Sequence, residues 1–266
     1  MSKDFLKTIV ENKKKKVFLA KQKTSEKFLC SKVEKALKKR KARSFYKSLK
    51  DKDETKINVI AEIKRASPSQ GNIDINLDPI KLVKDYEKGG AKAISVLTDT
   101  DFFKGSCNDF KLAQKNTNLA MLRKDFIISE YQVYQSYLLK ADAILLIAKI
   151  LSKSELNNLF NLATKLDMDA LVEINDEKDF AKAYDSGATL IGINNRNLTS
   201  FETNMNTSVS LVSLLDKGQI PIAASTISNK DDIKRNLDAG IFNFLIGESL
   251  VRSNNTVDFL RYLIAI

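Results

Sequence analysis

Short apolar runs alternate along most of this chain with longer stretches whose hydrophobic positions recur every three to four residues. The runs occupy residues 57–63, 93–97, 119–122, 143–147, 170–174, 190–193, 220–224 and 242–246. Each is strand-length rather than helix-length. Between them, residues 79–87, 130–139, 154–166, 176–185 and 230–239 carry amphipathic helical spacing. Strand patterns alternating with helical patterns predict βαβ units on a parallel sheet. Eight such units within residues 57–266 fit an α/β fold of the (β/α)8 TIM-barrel type, which typically takes ~250 residues. Gly89-Gly90, Gly187 and Gly240 each close a helical pattern just before the next run, where a left-handed C′ residue belongs.

The first fifty residues have a different texture. Phe5, Leu6, Ile9 and Val10, followed by Val17, Leu19 and Ala20, trace one amphipathic helix. Phe28, Val33, Leu37, Phe45 and Leu49 suggest further helical turns, and Asp51-Lys52-Asp53-Glu54 is a polar break before the first run. Residues 1–56 therefore read as an N-terminal helical extension packed on a barrel of residues 57–266, one structural domain overall.

Composition narrows the chemistry. The chain has 266 residues and no His, which excludes Ser-His-Asp and Cys-His hydrolysis and His-ligated zinc. Cys30 and Cys107 are too few for a disulfide framework or a Cys-rich metal site. Acid–base work near neutral pH falls to Glu, Asp, Lys, Tyr or Cys with shifted pKa values. Residues 1–56 hold 20 Lys and Arg against 7 Asp and Glu, so the whole excess of +11 belongs to them and the rest sums to −2. The basic residues gather in Lys13-Lys14-Lys15-Lys16 and Lys38-Lys39-Arg40-Lys41-Ala42-Arg43. One reading is an arm for nucleic acid or another anionic polymer. The other, adopted here, is a solvated helix face and no nucleic-acid partner: Lys outnumbers Arg 36 to 8, whereas base readers favour Arg. The N-terminus lacks an apolar run before a small-residue cleavage site, and the longest strongly apolar stretch, residues 143–148, is far too short to span a bilayer. The expectation is a cytoplasmic protein with no membrane partner.

In a barrel of this kind, chemistry belongs at the carboxyl ends of the strands. Alternation in the first run turns Ile57, Val59, Ala61 and Ile63 toward the helices and Asn58, Ile60, Glu62 and Lys64 toward the axis. An inward Glu and Lys two residues apart are costly unless paired or used. The third run ends Met121-Leu122-Arg123-Lys124-Asp125-Phe126, the fifth Leu171-Val172-Glu173 and the sixth Gly192-Ile193-Asn194-Asn195-Arg196. Two Lys, two Glu and an Asn thus converge on one mouth, a combination suited to acid–base catalysis on an anionic substrate. After the seventh and eighth runs, Ala224-Ser225-Thr226-Ile227 and Ile246-Gly247-Glu248-Ser249 stand where barrels bind phosphate. Gly247 permits close backbone approach there.

These motifs, in this order, resemble the indole-3-glycerol phosphate synthase family. The most specific segments are Ile60-Ala61-Glu62-Ile63-Lys64-Arg65-Ala66-Ser67-Pro68-Ser69-Gln70-Gly71 and Leu122-Arg123-Lys124-Asp125-Phe126-Ile127-Ile128. Phe102-Phe103-Lys104-Gly105-Ser106, Leu171-Val172-Glu173 and Gly192-Ile193-Asn194-Asn195-Arg196-Asn197-Leu198 extend the likeness over essentially the whole chain. The resemblance implies ring closure, decarboxylation and dehydration of 1-(2-carboxyphenylamino)-1-deoxyribulose 5-phosphate in tryptophan biosynthesis. It implies no metal and no organic cofactor; other enzymes of that pathway are the partners it suggests. Carried over residue by residue, Lys64 would hold the substrate carboxylate and Lys124 would be the general acid. Glu173 would serve the dehydration, Glu62 would orient Lys64 and the substrate amine, and Asn194 would hydrogen-bond the reacting atoms. Ser67, Pro68 and Phe103 would line the anthranilate pocket; Arg196, Ser225, Thr226, Gly247 and Glu248 would complete the substrate-binding set. A phosphoribosylanthranilate isomerase, another phosphate-binding barrel, would not explain the Glu-x-Lys and Arg-Lys-Asp-Phe segments.

The chain departs from the family pattern where Glu-Ser-Gly usually follows the seventh run and Ala224-Ser225-Thr226 stands instead. Asn175 and Asn197 also occupy places where His and Asp are frequent. Losing an auxiliary carboxylate at position 224 would cost ~10²-fold in rate. Thr226 is expected to offer its hydroxyl to the phosphate provided its φ stays negative, since a β-branched residue disfavours φ > 0. The alternative function is a catalytically weakened or inactive barrel that only binds a sugar phosphate or a partner protein.

Overall fold

The computed structural model describes residues 5–37, 42–50 and 56–265. Lys38, Lys39, Arg40 and Lys41, the polar break Asp51-Lys52-Asp53-Glu54 and the first four residues lie outside them. Three helices come first: α1 (Phe5–Lys23), α2 (Glu26–Leu37) and α3 (Phe45–Leu49). Then follow β1 (Asn58–Ile63), a small hairpin of β2 (Ala66–Ser67) and β3 (Gly71–Asn72), α4 (Pro79–Gly89), β4 (Ala93–Leu97), α5 (Cys107–Lys115) and β5 (Ala120–Lys124). The alternation continues through α6 (Glu130–Leu138), β6 (Ala143–Ile147), α7 (Lys153–Lys165), β7 (Asp169–Ile174), α8 (Glu177–Asp185), β8 (Leu190–Asn194) and α9 (Asn206–Leu211). It ends with β9 (Ile220–Ala224), α10 (Lys230–Leu237), β10 (Asn243–Ile246), α11 (Glu248–Val251) and α12 (Thr256–Ile264).

Eight strands form a closed parallel barrel, sealed where β10 pairs with β1 from Asn58↔Asn243 to Ala61↔Ile246. This is the (β/α)8 architecture expected from the runs. Three of them, residues 93–97, 143–147 and 220–224, coincide with the observed strands, and the others differ by one or two residues at an end. The helices start where side chains can take the free N–H groups. Asp78 caps α4 with Pro79 just inside, Ser106 caps α5, and Ser152 with Glu155 closes a capping box on α7. Gly90, Gly187 and Gly240 follow helices at φ of 100°, 76° and 83°, the left-handed turns into the next strand.

Strand alternation sorts the core into two layers. Val59, Ala61 and Ile63 pack outward against Val83, Tyr86 and Leu260 of the surrounding helices. Ile60, Leu122, Leu145, Leu171, Ile222 and Leu245 fill the barrel interior. Each such residue fully removed from water contributes about 1.5–3 kcal/mol.

The leading helices reach both ends of the barrel. At the amino end of the strands, Phe45 and Leu49 of α3 join the interior cluster. The Tyr46 N–H donates to Asp169, Asn58 donates to the Leu49 carbonyl, and Arg43 pairs with Asp142. At the carboxyl end, α1 lies across the mouth: Phe5 packs edge-on against Phe102 at 5.4 Å and Phe201 at 5.1 Å. The run of lysines on α1 is therefore not uniformly solvated, as its charge suggested. Lys13 is only 7% exposed and bridges Asp99 and Asp125, both at 2.7 Å, and Lys16 pairs with Asp101.

Candidate active site

All thirteen residues singled out from the sequence line one cavity at the carboxyl ends of the strands. The parallel sheet explains the convergence: Glu62 near the end of β1, Lys124 at the end of β5, Glu173 on β7 and Asn194 at the end of β8 all turn inward from neighbouring levels. Glu62 Oε1 lies 3.3 Å from Lys64 Nζ, and its Oε2 lies 4.0 Å from Lys124 Nζ. Lys124 Nζ is also 3.5 Å from Glu173 Oε2. Two cations and two anions thus alternate around the floor of the mouth, with Glu62 2% and Glu173 3% exposed. Burial alone would pull the Lys124 ammonium down, but Glu173 and Glu62 outweigh it and hold Lys124 above the ordinary lysine range. Lys124 is accordingly a fixed, protonated donor between two carboxylates.

Glu62 is the hub of this cluster, and three neighbours hold it. Ser95 Oγ on β4 donates to its Oε2 at 3.3 Å. The Tyr86 hydroxyl on α4 donates to its backbone carbonyl at 3.0 Å. Gly247 presents no side chain to it: a Cβ built there would stand 2.7 Å from Glu62 Oε1. The glycine expected to admit a phosphate therefore already serves to make room for the Glu62 carboxylate.

Asn194 is oriented rather than merely present. Its Oδ1 accepts the Arg196 N–H at 2.9 Å and Ser225 Oγ at 2.8 Å, while its backbone carbonyl accepts Asn175 Nδ2 at 2.7 Å. Ser225 and Thr226 stand at φ of 67° and 64°, so the expectation of a negative φ at Thr226 is not met. The chain enters the left-handed region at the position the family gives to glycine, and the Thr226 hydroxyl turns back to donate to the Ser225 carbonyl at 2.6 Å. Arg196 and Glu248 also line the cavity, but each has a second engagement, Arg196 Nη1 with the Phe201 carbonyl and Glu248 with Arg252.

The rest of the wall is apolar or loop-borne. Ser67 and Pro68 come from the β2–β3 hairpin, whose root is clamped by a bidentate Arg65–Asp109 pair at 2.9 Å. Phe103 packs against Phe126 at 6.0 Å, and Leu145, Leu245 and Ala224 also line the cavity. Ala224 thus leaves a methyl group where the family pattern has a carboxylate.

Sequence reasoning missed the device that braces this mouth from above. Lys13 reaches Asp125, the residue after Lys124, and Asp99, which begins the loop carrying Phe103. Asp125 also accepts from Thr98 at 2.7 Å and Arg123 at 3.0 Å. Burial opposes its charge, yet Arg123, Lys13 and these hydrogen bonds bring the Asp125 carboxyl down to about 2. Asp99 in turn takes the Phe102 N–H at 2.9 Å. The only available signal was the apolar spacing of α1, which predicts a buried face without naming the lysine on it. Among the described residues, no group of three or more His, Cys, Asp or Glu is arranged to hold a metal ion.

Comparison with known proteins places this geometry. The profile of the family "Indole-3-glycerol phosphate synthase" matches residues 6–263. An indole-3-glycerol phosphate synthase of Desulfosudis oleivorans is 53% identical over 77% of this chain and 78% of its own. That of Syntrophobacter fumaroxidans is 42% identical over 98% of this chain and 97% of its own. Among solved structures, thiamine phosphate pyrophosphorylase from Pyrococcus furiosus superposes with a TM-score of 0.59 at 14% identity, covering 79% of this chain and 95% of that one. N-acetylmannosamine-6-phosphate 2-epimerase from Clostridium perfringens gives 0.56 at 14%, over 74% and 89%. At that identity the two structures share the fold alone.

Proposed function

This chain belongs to the indole-3-glycerol phosphate synthase family, and from that premise we propose how its charged mouth divides the family's reaction among its residues. The chain is a carboxy-lyase of tryptophan biosynthesis. It closes the indole ring of 1-(2-carboxyphenylamino)-1-deoxyribulose 5-phosphate with loss of carbon dioxide and water. The carboxylate-bearing ring carbon attacks the ketone carbon, the ketone oxygen takes a proton, carbon dioxide leaves, and the new hydroxyl departs as water while the adjacent carbon gives up a proton.

Lys64 holds the substrate carboxylate by charge until decarboxylation. Lys124 protonates the ketone oxygen and later the departing hydroxyl. Glu173, 3.5 Å from Lys124, relays to it the one proton taken up from solvent and accepts the proton released in dehydration. Glu62 keeps Lys64 in place and faces the substrate amine, and Asn194 hydrogen-bonds the reacting oxygen. Ser67, Pro68 and Phe103 hold the aromatic ring. Arg196, Thr226 and the backbone at Gly247 face the phosphate. The observation that carries this assignment is Lys124, half-buried and kept protonated between two carboxylates.

The experiment is a fluorescence assay of indole formation from that substrate. The wild-type chain turns over, and Lys124→Ala lowers kcat by ~10²–10⁴-fold, the range of a positioned general acid. Absence of wild-type turnover alongside intact sugar-phosphate binding overturns the assignment.

The same proposal treats residues 1–56 and 57–266 as one structural unit, supported by the bonds of α1 and α3 to opposite ends of the barrel. It involves no nucleic acid: Lys13 and Lys16 of the basic run are paired with Asp99, Asp125 and Asp101. No described helix is long and apolar enough to cross a membrane. A cytoplasmic site of action is supported by the unpaired Cys30 and Cys107, which suit a reducing compartment.

A further inference from the structure

We propose that Ser225 is a positioning residue for Asn194, turning the amide so that its NH₂ group and not its carbonyl meets the substrate; this rests on the reaction assigned above and goes further in making Asn194 a donor only. Asn194 is 4% exposed, ends β8 and stands beside Ala224, its register partner on β9. Its Oδ1 meets the Arg196 N–H at 2.9 Å and Ser225 Oγ at 2.8 Å. A backbone N–H can only donate, so the side-chain atom facing Arg196 is the oxygen, and the amide has one orientation. Both acceptor positions of that oxygen are then filled, and Nδ2 has no acceptor among the described residues.

The left-handed backbone at Ser225, φ 67°, is a conformation serine seldom adopts, and in it the hydroxyl reaches Asn194. That hydroxyl donates to Asn194 and is not free to donate to a phosphate. The carboxylate that the family pattern puts at position 224 would stand beside this amide; Ala224 puts a methyl group there instead. During ring closure the ketone oxygen gathers negative charge before Lys124 protonates it. A fixed neutral N–H donor stabilises that charge without supplying a proton.

The test is steady-state kinetics of the full chain, with inorganic phosphate as a competitive inhibitor. Ser225→Ala is expected to lower kcat by about tenfold, the worth of one lost orienting hydrogen bond, while KM and the inhibition constant for phosphate stay within about twofold. Combined with Asn194→Ala it costs no more than Asn194→Ala alone. Asn194→Asp keeps both acceptor bonds but replaces the NH₂ donor by a charged oxygen, so it reads the donor role even if Ser225→Ala fails to fold. It is expected to fall in kcat at least as far as Asn194→Ala. A rise in KM and in the phosphate constant for Ser225→Ala at unchanged kcat makes Ser225 a phosphate ligand and overturns the proposal. So does wild-type kcat in Asn194→Asp, or additivity of Ser225→Ala with Asn194→Ala. Loss of turnover in the wild-type chain instead strikes the assigned reaction itself.

Discussion

Replacing Gly247 by alanine tests whether the hub of the mouth is held as tightly as its packing implies. The φ of Gly247 is −129°, outside the left-handed region, so the obstacle to a side chain is Glu62. The new Cβ would stand 2.7 Å from Glu62 Oε1, 3.1 Å from its Cβ and 3.3 Å from its Cδ. Carbon contacts are comfortable at about 3.5–4.0 Å, so the carboxylate must retreat by ~0.5–1 Å. It cannot do so freely, because Lys64 at 3.3 Å and Ser95 at 3.3 Å hold its two oxygens. The shift also alters the 4.0 Å spacing to Lys124. A displacement of ~1 Å among reacting groups costs about 10²-fold in rate, equivalent to about 2.7 kcal/mol of barrier. The assay is steady-state indole fluorescence, with Gly218→Ala as the control because nothing lies within 4 Å of its added Cβ. The expected result is a kcat fall of ~10²-fold with little change in KM, against wild-type kinetics in the control. A Gly247→Ala enzyme with undiminished kcat and a raised KM would refute the reasoning and leave phosphate approach as the sole reason for a glycine there.

Lys13→Met removes one partner from a buried ion network, and breaking such a pair costs about 3–5 kcal/mol. Urea unfolding should register that loss, and a midpoint equal to wild type would contradict it. Asp125 titrates at about 2 in the folded chain, against about 3.9 in an unfolded one. Its contribution to stability is therefore complete above pH ~4 and drains away as pH falls toward 2; melting midpoints of wild type against Asp125→Asn across that range should converge at the acid end, and parallel curves would count against it. Ala224→Glu restores the carboxylate of the family pattern, and kcat is expected to rise by up to ~10²-fold. An unchanged or lower kcat in a variant that melts normally would show that Ala224 does not limit the rate.

Much of this mouth was legible because strand alternation and barrel geometry are local rules. Once β1 is a strand, Glu62 faces inward with Ile60 while Ala61 and Ile63 face the helices, and the structure follows that division. The same rules bring Lys124, Glu173 and Asn194 to the same end. What they do not carry is any contact between distant segments. Lys13 and Asp125 are 112 positions apart, and nothing in a run of four lysines marks one of them as buried. The hairpin of β2 and β3 has two residues per strand, too few for a period to register. Thr226 escaped for another reason: its left-handed φ contradicts its own residue preference, and only the surrounding turn imposes it. Gly247 was recognised as a place of close approach, but the sequence did not show that the space of its missing side chain is taken by Glu62.

The clasp of α1 across the barrel mouth has a consequence for how the chain is made. Lys13 leaves the ribosome 112 residues ahead of Asp125, an interval of roughly 6–22 s at about 5–20 residues per second. For the first 86 residues of that interval the first helix carries a cation neither of whose counter-charges, Asp99 and Asp125, has been synthesised. The barrel cannot close until still later, because β10, which seals it against β1, is among the last elements translated. The segment born first is thus seated only after the surface it braces has been built, and a stalled or truncated nascent chain presents it unclasped to chaperones and proteases.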